Sequence, residues 1–309
     1  MNHGKYAYFD YWHGWGTLGG CAVIRGQTDG PMRYILLILI LLVLLPVSWG
    51  GAVAGTIPDA TVYLPFIQYI PALPHKALNS EVGNPTCEDY DRLGAERLMM
   101  WWPTCEIRCD RPFNPMVRDL SQLEVMNLND CGETVIGFNE PENQDCGAGA
   151  CMTLAELMQA WHRLEMALPD KQLTSPQFVR LTDMAAPAYT LNDFTNAYGG
   201  EPFDVIAVHF YGRYDVERSL QQWRDWYATL PTDRPMWVTE LGWHDYSGWQ
   251  NGEDEAAEFL SLFLLDCQEK NIELVNWFGV KESSDYPYIV PLLRADGELT
   301  GAGQVWAGW

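Results

Sequence analysis

Residues 204–240 read DVIAVHFYGRYDVERSLQQWRDWYATLPTDRPMWVTE. Asp204–Phe210 is a nearly unbroken apolar run with branched side chains, the pattern of a strand buried on both faces. Val216, Leu220, Trp223 and Tyr227 then recur at helical spacing, and Met236–Glu240 is a second short apolar strand. Strand, amphipathic helix and strand in that order make one βαβ unit, which calls for a parallel sheet covered on both faces.

The same rhythm runs outward from this unit. Upstream, Thr134–Phe138 (TVIGF) reads as a buried strand, and Thr153-x-x-Glu156 is a capping box ahead of Leu157, Met158, Trp161, Leu164 and Leu168. Gln172–Ser175 reads as a short strand and Pro187–Tyr198 as a weaker helix. Downstream come a helix over Glu253–Lys270 and a strand over Glu273–Phe278. Strand starts near 134, 172, 204, 236 and 273 lie 32 to 38 residues apart, one βα unit each. Five units with about 60 residues upstream predict a closed (β/α)8 TIM barrel, a single catalytic domain over residues 76–309. Residues 55–75, broken by Pro58, Pro65, Pro71 and Pro74, read as an irregular lead-in.

Charge narrows the partners. The 309 residues carry 19 Lys+Arg against 41 Asp+Glu, a formal net charge of −22. Residues 1–54 hold three of those bases and two of the acids, so the acidity belongs to the remaining 255 residues. Such a surface repels nucleic acid and anionic membrane. No glycine-rich nucleotide motif follows any strand, and no cofactor, metal or obligate protein partner is expected; a monomer is. Fourteen Trp and fifteen Tyr exceed what packing alone asks for.

Tyr34–Leu45 is an unbroken apolar run, preceded by Met32-Arg33 and followed by Pro46 and the small-residue Ala52-Val53-Ala54. That is the pattern of a secretory signal, with a single membrane anchor over residues 34–54 as the alternative. Residues 1–31 sit awkwardly ahead of a signal, so translation is expected to start at Met32. Export permits disulfides. Cys21 falls in the extension, and Cys267 falls in a helical pattern that suits a buried free thiol. Cys87, Cys105, Cys109, Cys131, Cys146 and Cys151 remain, with 15 possible pairings; Cys105–Cys109 and Cys146–Cys151 could each staple a loop locally. No His stands at ligand spacing beside them for zinc.

Active sites of parallel barrels form at the C-terminal ends of the strands. Glu140 lies just past TVIGF and Glu240 closes MWVTE. An acid ending an apolar strand costs desolvation, so it has a partner or a task. Two such acids suit glycosidic cleavage, in which one protonates the leaving oxygen and the other attacks the anomeric carbon or activates water. Glu142, after Pro141, reads as a loop acid. Trp101, Trp102, Phe210, Trp243 and Trp277 lie near strand ends as candidate sugar-stacking rings, and His209 and Tyr211 could hydrogen-bond a carboxylate or a sugar hydroxyl.

Gly137-Phe-Asn-Glu140-Pro-Glu142, His209-Phe-Tyr-Gly212 and Trp237-Val-Thr-Glu240 closely resemble the glycosyl hydrolase catalytic-core family, glycoside hydrolase family 128. Its members carry GFNEP[DE], VHWYG and WVTEF in that order. Trp101-Trp102-Pro103 and Phe113-Asn-Pro115-Met-Val look like that family's pair of short early strands. The resemblance implies a secreted, retaining endo-β-1,3-glucanase acting on a β-glucan polysaccharide or oligosaccharide. It makes Glu140 the acid/base and Glu240 the nucleophile, puts Asn139 on the sugar 2-hydroxyl, and has His209 and Tyr211 support the acids. Retention further implies carboxyl groups about 5–5.5 Å apart. Glu140 should then be protonated at rest with a raised pKa, and Glu240 ionised. The sequence departs from the pattern at Arg118, where relatives carry a stacking Trp, at the Cys146–Cys151 segment, and at Trp243 and His244–Trp249, which extend the mouth. Another β-glycan (β-1,6 or mixed linkage) and a non-catalytic glycan-binding barrel are the rival readings.

Overall fold

The computed structural model describes residues 72–79, 82–101, 109–123, 132–144, 149–231 and 233–309. The N-terminal extension with its signal or anchor, the Met32 start, the lead-in to residue 71, Trp102, Cys105, Cys131 and Cys146 lie outside the described residues. Nine strands are present among the described residues: β1 His75–Asn79, β2 Arg97–Met100, β3 Phe113–Pro115, β4 Thr134–Val135, β5 Gln172–Leu173, β6 Phe178–Leu181, β7 Ile206–Arg213, β8 Met236–His244 and β9 Leu274–Trp277.

All strand pairings are parallel. One sheet runs β3-β2-β1-β9-β8-β7-β6, and β4 pairs with β5. Single bridges close the remaining seams, Met116 to Ile136 between β3 and β4 and Thr174 to Val205 between β5 and β7. β5 and β6 are two halves of one wall, interrupted at Ser175-Pro176 because proline cannot donate to a ladder. Counted so, the walls number eight and the (β/α)8 barrel is complete. The sequence reading ended this wall at Ser175 and missed β6. Ala77, Met99, Met116, Ile136, Val205, Trp237 and Leu274, one from each of seven walls, pack together as the barrel interior.

The helices are α1 Cys87–Leu93, α2 Leu120–Leu123, α3 Leu154–Ala167, α4 Leu191–Tyr198, α5 Val216–Tyr227, α6 Glu253–Glu269 and α7 Gly301–Gly308. Thr86 with Asp89, Thr153 with Glu156 and Thr190 with Asp193 form capping boxes that set the starts of α1, α3 and α4. The last of these corrects the helix expected from Pro187, which begins at Leu191 instead. Cys109 pairs with Cys87 rather than with Cys105, tying α1 to the approach of β3. Cys267 is buried and free.

Buried Asp266 bolts α5 to α6. It accepts from Trp223 Nε1 at 2.8 Å and Arg224 Nε at 3.0 Å, and pairs with Lys270 at 2.8 Å. Asp266→Ala leaves a buried indole N–H and two cations without their acceptor, so the expected cost is about 3–5 kcal/mol. The measurement is urea unfolding, with the midpoint lowered and the slope unchanged.

Candidate active site

Strand parity decides which side chains reach the barrel mouth. On β7, Ile206, Val208 and Phe210 face the helices while His209 and Tyr211 face inward. On β8, Trp237 points into the barrel and Val238 out, and regular alternation would send Glu240 out as well. The ladder slips instead: Val208 pairs with Val238 and His209 with Glu240, so Thr239 is the extra residue of a bulge. That bulge turns Glu240 inward beside His209 and leaves Leu241 and Trp243 on the helix side.

The consequence for the expected aromatics is direct. Phe210, Trp243 and Trp277 are buried in the shell between strands and helices and do not line the mouth. Phe210 packs on Trp223 and Phe263, and Trp243 on Phe259. They are core residues, which corrects their reading as sugar platforms. Trp101 does line the mouth, against Phe278 at 5.3 Å between ring centres. Phe278, one residue past Trp277, has the inward parity.

The mouth is a cavity of about 580 Å³ at the C-terminal ends of the strands, larger than two cavities of about 280 and 390 Å³ at their N-terminal ends. Glu140, Glu240, Asn139, Tyr211 and Trp101 all line it, with Arg118, Asn143, His244, Tyr246, Tyr286 and Tyr288. Only Arg118 and the His244–Trp249 stretch among these additions had been singled out in sequence. The tyrosines at 286 and 288 arrive on the loop after β9, which no local pattern announces.

Glu140 has a left-handed backbone, φ 41°, rarely adopted by a side-chain-bearing residue. Its N–H bonds the Gln177 carbonyl at 2.9 Å and its carbonyl accepts from Asn143 N–H at 3.0 Å. Gly149 covers this turn so closely that a Cβ there would come within 2.5 Å of the Glu140 carbonyl oxygen. Strain of this sort, held in place by neighbours, clusters at functional sites.

The two acids meet through His209. Its Nδ1 lies 2.9 Å from Glu140 Oε1 and 3.3 Å from Glu240 Oε2, and its Nε2 lies 2.9 Å from Gln177 Oε1. The Gln177 amide donates to the Gly137 carbonyl, so its oxygen faces the ring and Nε2 carries the proton. Asn143 Nδ2 donates to Glu140 Oε2 at 2.9 Å, and the Tyr211 hydroxyl donates to Glu240 Oε2. Glu240 Oε1 is buried and has no hydrogen-bond partner among the described residues.

The protonation pattern differs from the sequence expectation. Burial pushes Glu140 up, but the hydrogen bond and charge of His209, with the Asn143 bond, outweigh it and hold the carboxyl below its usual range. Burial and the Glu140 charge raise Glu240 to about 7 against the opposing pull of His209 and Tyr211. Burial works against a charged His209, yet the two carboxylates raise its pKa. His209 Nδ1 thus stands one hydrogen bond from the carboxyl that it helps to hold low. Burial and the charge of Arg213 push His244 down to about 3, so it stays neutral.

Glu142 occupies the turn, as expected of a loop acid, but is buried, accepts from Val179 N–H at 2.7 Å and is pushed up by burial to about 8. It belongs to the packing of the turn. Glu140, His209 and Glu240 each offer an atom within 4.8 Å of the others, the spacing of a metal cluster. His209 Nδ1 faces both carboxylates and its Nε2 faces Gln177, so short polar contacts link the three groups.

The profile of the glycosyl hydrolase catalytic core matches residues 106–306. No curated protein matches the chain. Among solved structures, a family 128 subgroup I endo-β-1,3-glucanase from Amycolatopsis mediterranei, in complex with laminaritriose, is 21% identical. That alignment covers 76% of this chain and 98% of that one, with a TM-score of 0.58. A subgroup II endo-β-1,3-glucanase from Sorangium cellulosum is 22% identical over 75% and 97% of the two chains, with a TM-score of 0.58. A subgroup V exo-β-1,3-glucanase from Cryptococcus neoformans is 15% identical over 76% and 98%, with a TM-score of 0.56. At these identities the likeness is one of fold.

Proposed function

The chain belongs to the glycosyl hydrolase catalytic core family, and on that footing we propose that this glycoside hydrolase cleaves β-1,3-glucan with retention of configuration. One observation carries the stereochemistry. Glu140 and Glu240 each offer a carboxylate oxygen within 4.8 Å of the other, which supports the close pair of a retaining enzyme over the wider spacing an inverting one uses to admit water between acid and base. The glucan linkage is supported by the sequence motifs and by the fold shared with enzymes that cleave β-1,3-glucans.

The free Oε1 of Glu240 attacks the anomeric carbon while Tyr211 holds Oε2. As the glycosidic C–O bond breaks, its electron pair leaves with the departing oxygen, which takes a proton from Glu140. His209 has by then passed its Nδ1 proton to Glu140 Oε1, and the ring, pinned by Gln177, becomes neutral. In the second half Glu140 deprotonates a water that attacks the same carbon and releases Glu240. Asn139 is placed on the cavity wall to bind the sugar 2-hydroxyl, and Trp101 with Phe278 supplies a stacking wall.

The reading includes secretion. The apolar run after Arg33 supports it, as does the Cys87–Cys109 disulfide, which suits an oxidising compartment.

Rate should follow the proton on Glu240. Because only the carboxylate attacks and its pKa is raised to about 7, kcat/KM is expected to rise with pH up to about 7. It then falls as the proton held between His209 and Glu140 is lost. A kcat/KM profile on soluble β-1,3-glucan that is flat between about pH 5 and about 8 removes Glu240 from this role. The decisive assay of the whole reading is product analysis of the purified protein on β-1,3-, β-1,6- and mixed-linkage glucans, with the anomer followed by NMR. Release of the β anomer from β-1,3-glucan is the expected result. Binding without release of sugar supports the non-catalytic barrel instead.

A further inference from the structure

Two strands outrun the barrel. β7 and β8 stay paired as far as Arg213 and His244, four residues beyond Glu240, and raise a ribbon above the mouth. Aromatic rings collect on it. Tyr246 stacks on Tyr288 with ring centres 5.2 Å apart and planes at 23°, and both line the active-site cavity. The Arg213 guanidinium lies 4.9 Å from the ring centre of Tyr214 and 6.0 Å from that of Tyr246, bridging the two. Tyr214 is 68% exposed and Tyr246 54%.

The backbone at Tyr214 singles this residue out. Its φ is 65°, and Asp215 N–H bonds the Arg213 carbonyl at 2.8 Å, closing a three-residue turn around it. Glycine occupies such a position without strain, whereas tyrosine does not. An exposed ring contributes little to the core, so the fold has no use for this tyrosine that would offset the strain. Hydrogen-bonding capacity is also left open here: Arg213 Nε and His244 Nε2 are buried without partners among the described residues.

We propose that Tyr288, Tyr246 and Tyr214, bridged by Arg213, form a rail that carries a neutral β-glucan chain out of the active-site cavity and over the β7–β8 ribbon. This rests on the reading of the protein as a glucan hydrolase. Flat rings stack against the C–H faces of successive pyranoses, while Arg213 and His244 meet their hydroxyls. The formal net charge of −22 disfavours an anionic glycan on the same surface.

The test compares kcat/KM on laminari-oligosaccharides from trimer to hexamer for wild type, Tyr214→Gly and Tyr214→Phe, with melting temperatures. Tyr214→Gly should lower the hexamer-to-trimer ratio of kcat/KM by about tenfold, the loss carried by one stacking contact. The change should appear in KM, and melting temperature should hold or rise as the turn relaxes. Tyr214→Phe keeps the ring and should keep the wild-type ratio. An unchanged ratio in Tyr214→Gly, or an equal loss at every length, overturns the rail. Wild-type hydrolysis reports separately on the underlying reading: protein inactive on every length overturns that reading and the rail with it.

Discussion

Replacing Glu240 by alanine is expected to lower kcat on β-1,3-glucan on the order of 10⁴- to 10⁶-fold while leaving oligosaccharide affinity in place. As the proposed nucleophile, Glu240 would meet the sugar only where a bond forms, and the walls around it, Trp101, Phe278 and Tyr211, remain. The variant also tests the stereochemistry. Truncation leaves room for a small anion where the carboxylate stood, and azide entering there should restore turnover and yield the α-glycosyl azide. Calorimetry with laminari-oligosaccharides and NMR of the azide product make the two measurements. Loss of binding in step with loss of rate would show that Glu240 shapes the pocket rather than attacks; a β-azide would reverse the assignment of faces.

Glu140→Gln should separate substrates by leaving group. With a glucan, whose leaving alcohol needs a proton, kcat falls about 10²- to 10⁴-fold. With an aryl β-glucoside, whose phenolate departs unaided, glycosylation is largely spared, and a burst of phenol precedes slow deglycosylation. The same substitution removes the acid that takes up the His209 proton, so the fall of kcat/KM at high pH should vanish with it. Equal losses on both substrate types sink the acid assignment. Glutamine suits the test because it keeps the size of the side chain and one acceptor: its amide oxygen can still accept from His209, while its NH2 can donate to a flipped Asn143 amide.

The barrel was legible because its buried parallel strands and amphipathic helices leave periodic traces, clearest from Thr134 onward. The upstream walls are short, three to five residues in β1 to β3, and carry too little pattern to read singly. Glu140 and Glu240 were legible for a chemical reason, as acids ending apolar runs. The aromatics failed on parity. Phe210 cannot share a face with His209 and Tyr211, and that much was readable. The bulge at Thr239, which turns Glu240 in and keeps Trp243 out, is a property of the ladder. The direction in which each carboxyl is shifted was not legible, because it depends on which acid His209 and Asn143 approach, a matter of ångströms. The Cys87–Cys109 pairing likewise joins segments that only the fold brings together.

Pairing of β1 with β9 has a consequence for how the molecule comes into being. The wall holding His75–Asn79 is completed by Leu274–Trp277, so a chain leaving the ribosome keeps an open edge on β1 until residue 277 has emerged. Until then the interior layer shared by Ala77 and Leu274 is unsealed, and β8, which carries Glu240, lacks its β9 neighbour. Closure waits on β9. A nascent chain of this kind stays open until β9 emerges and, over the same interval, depends on protection from edge-to-edge association.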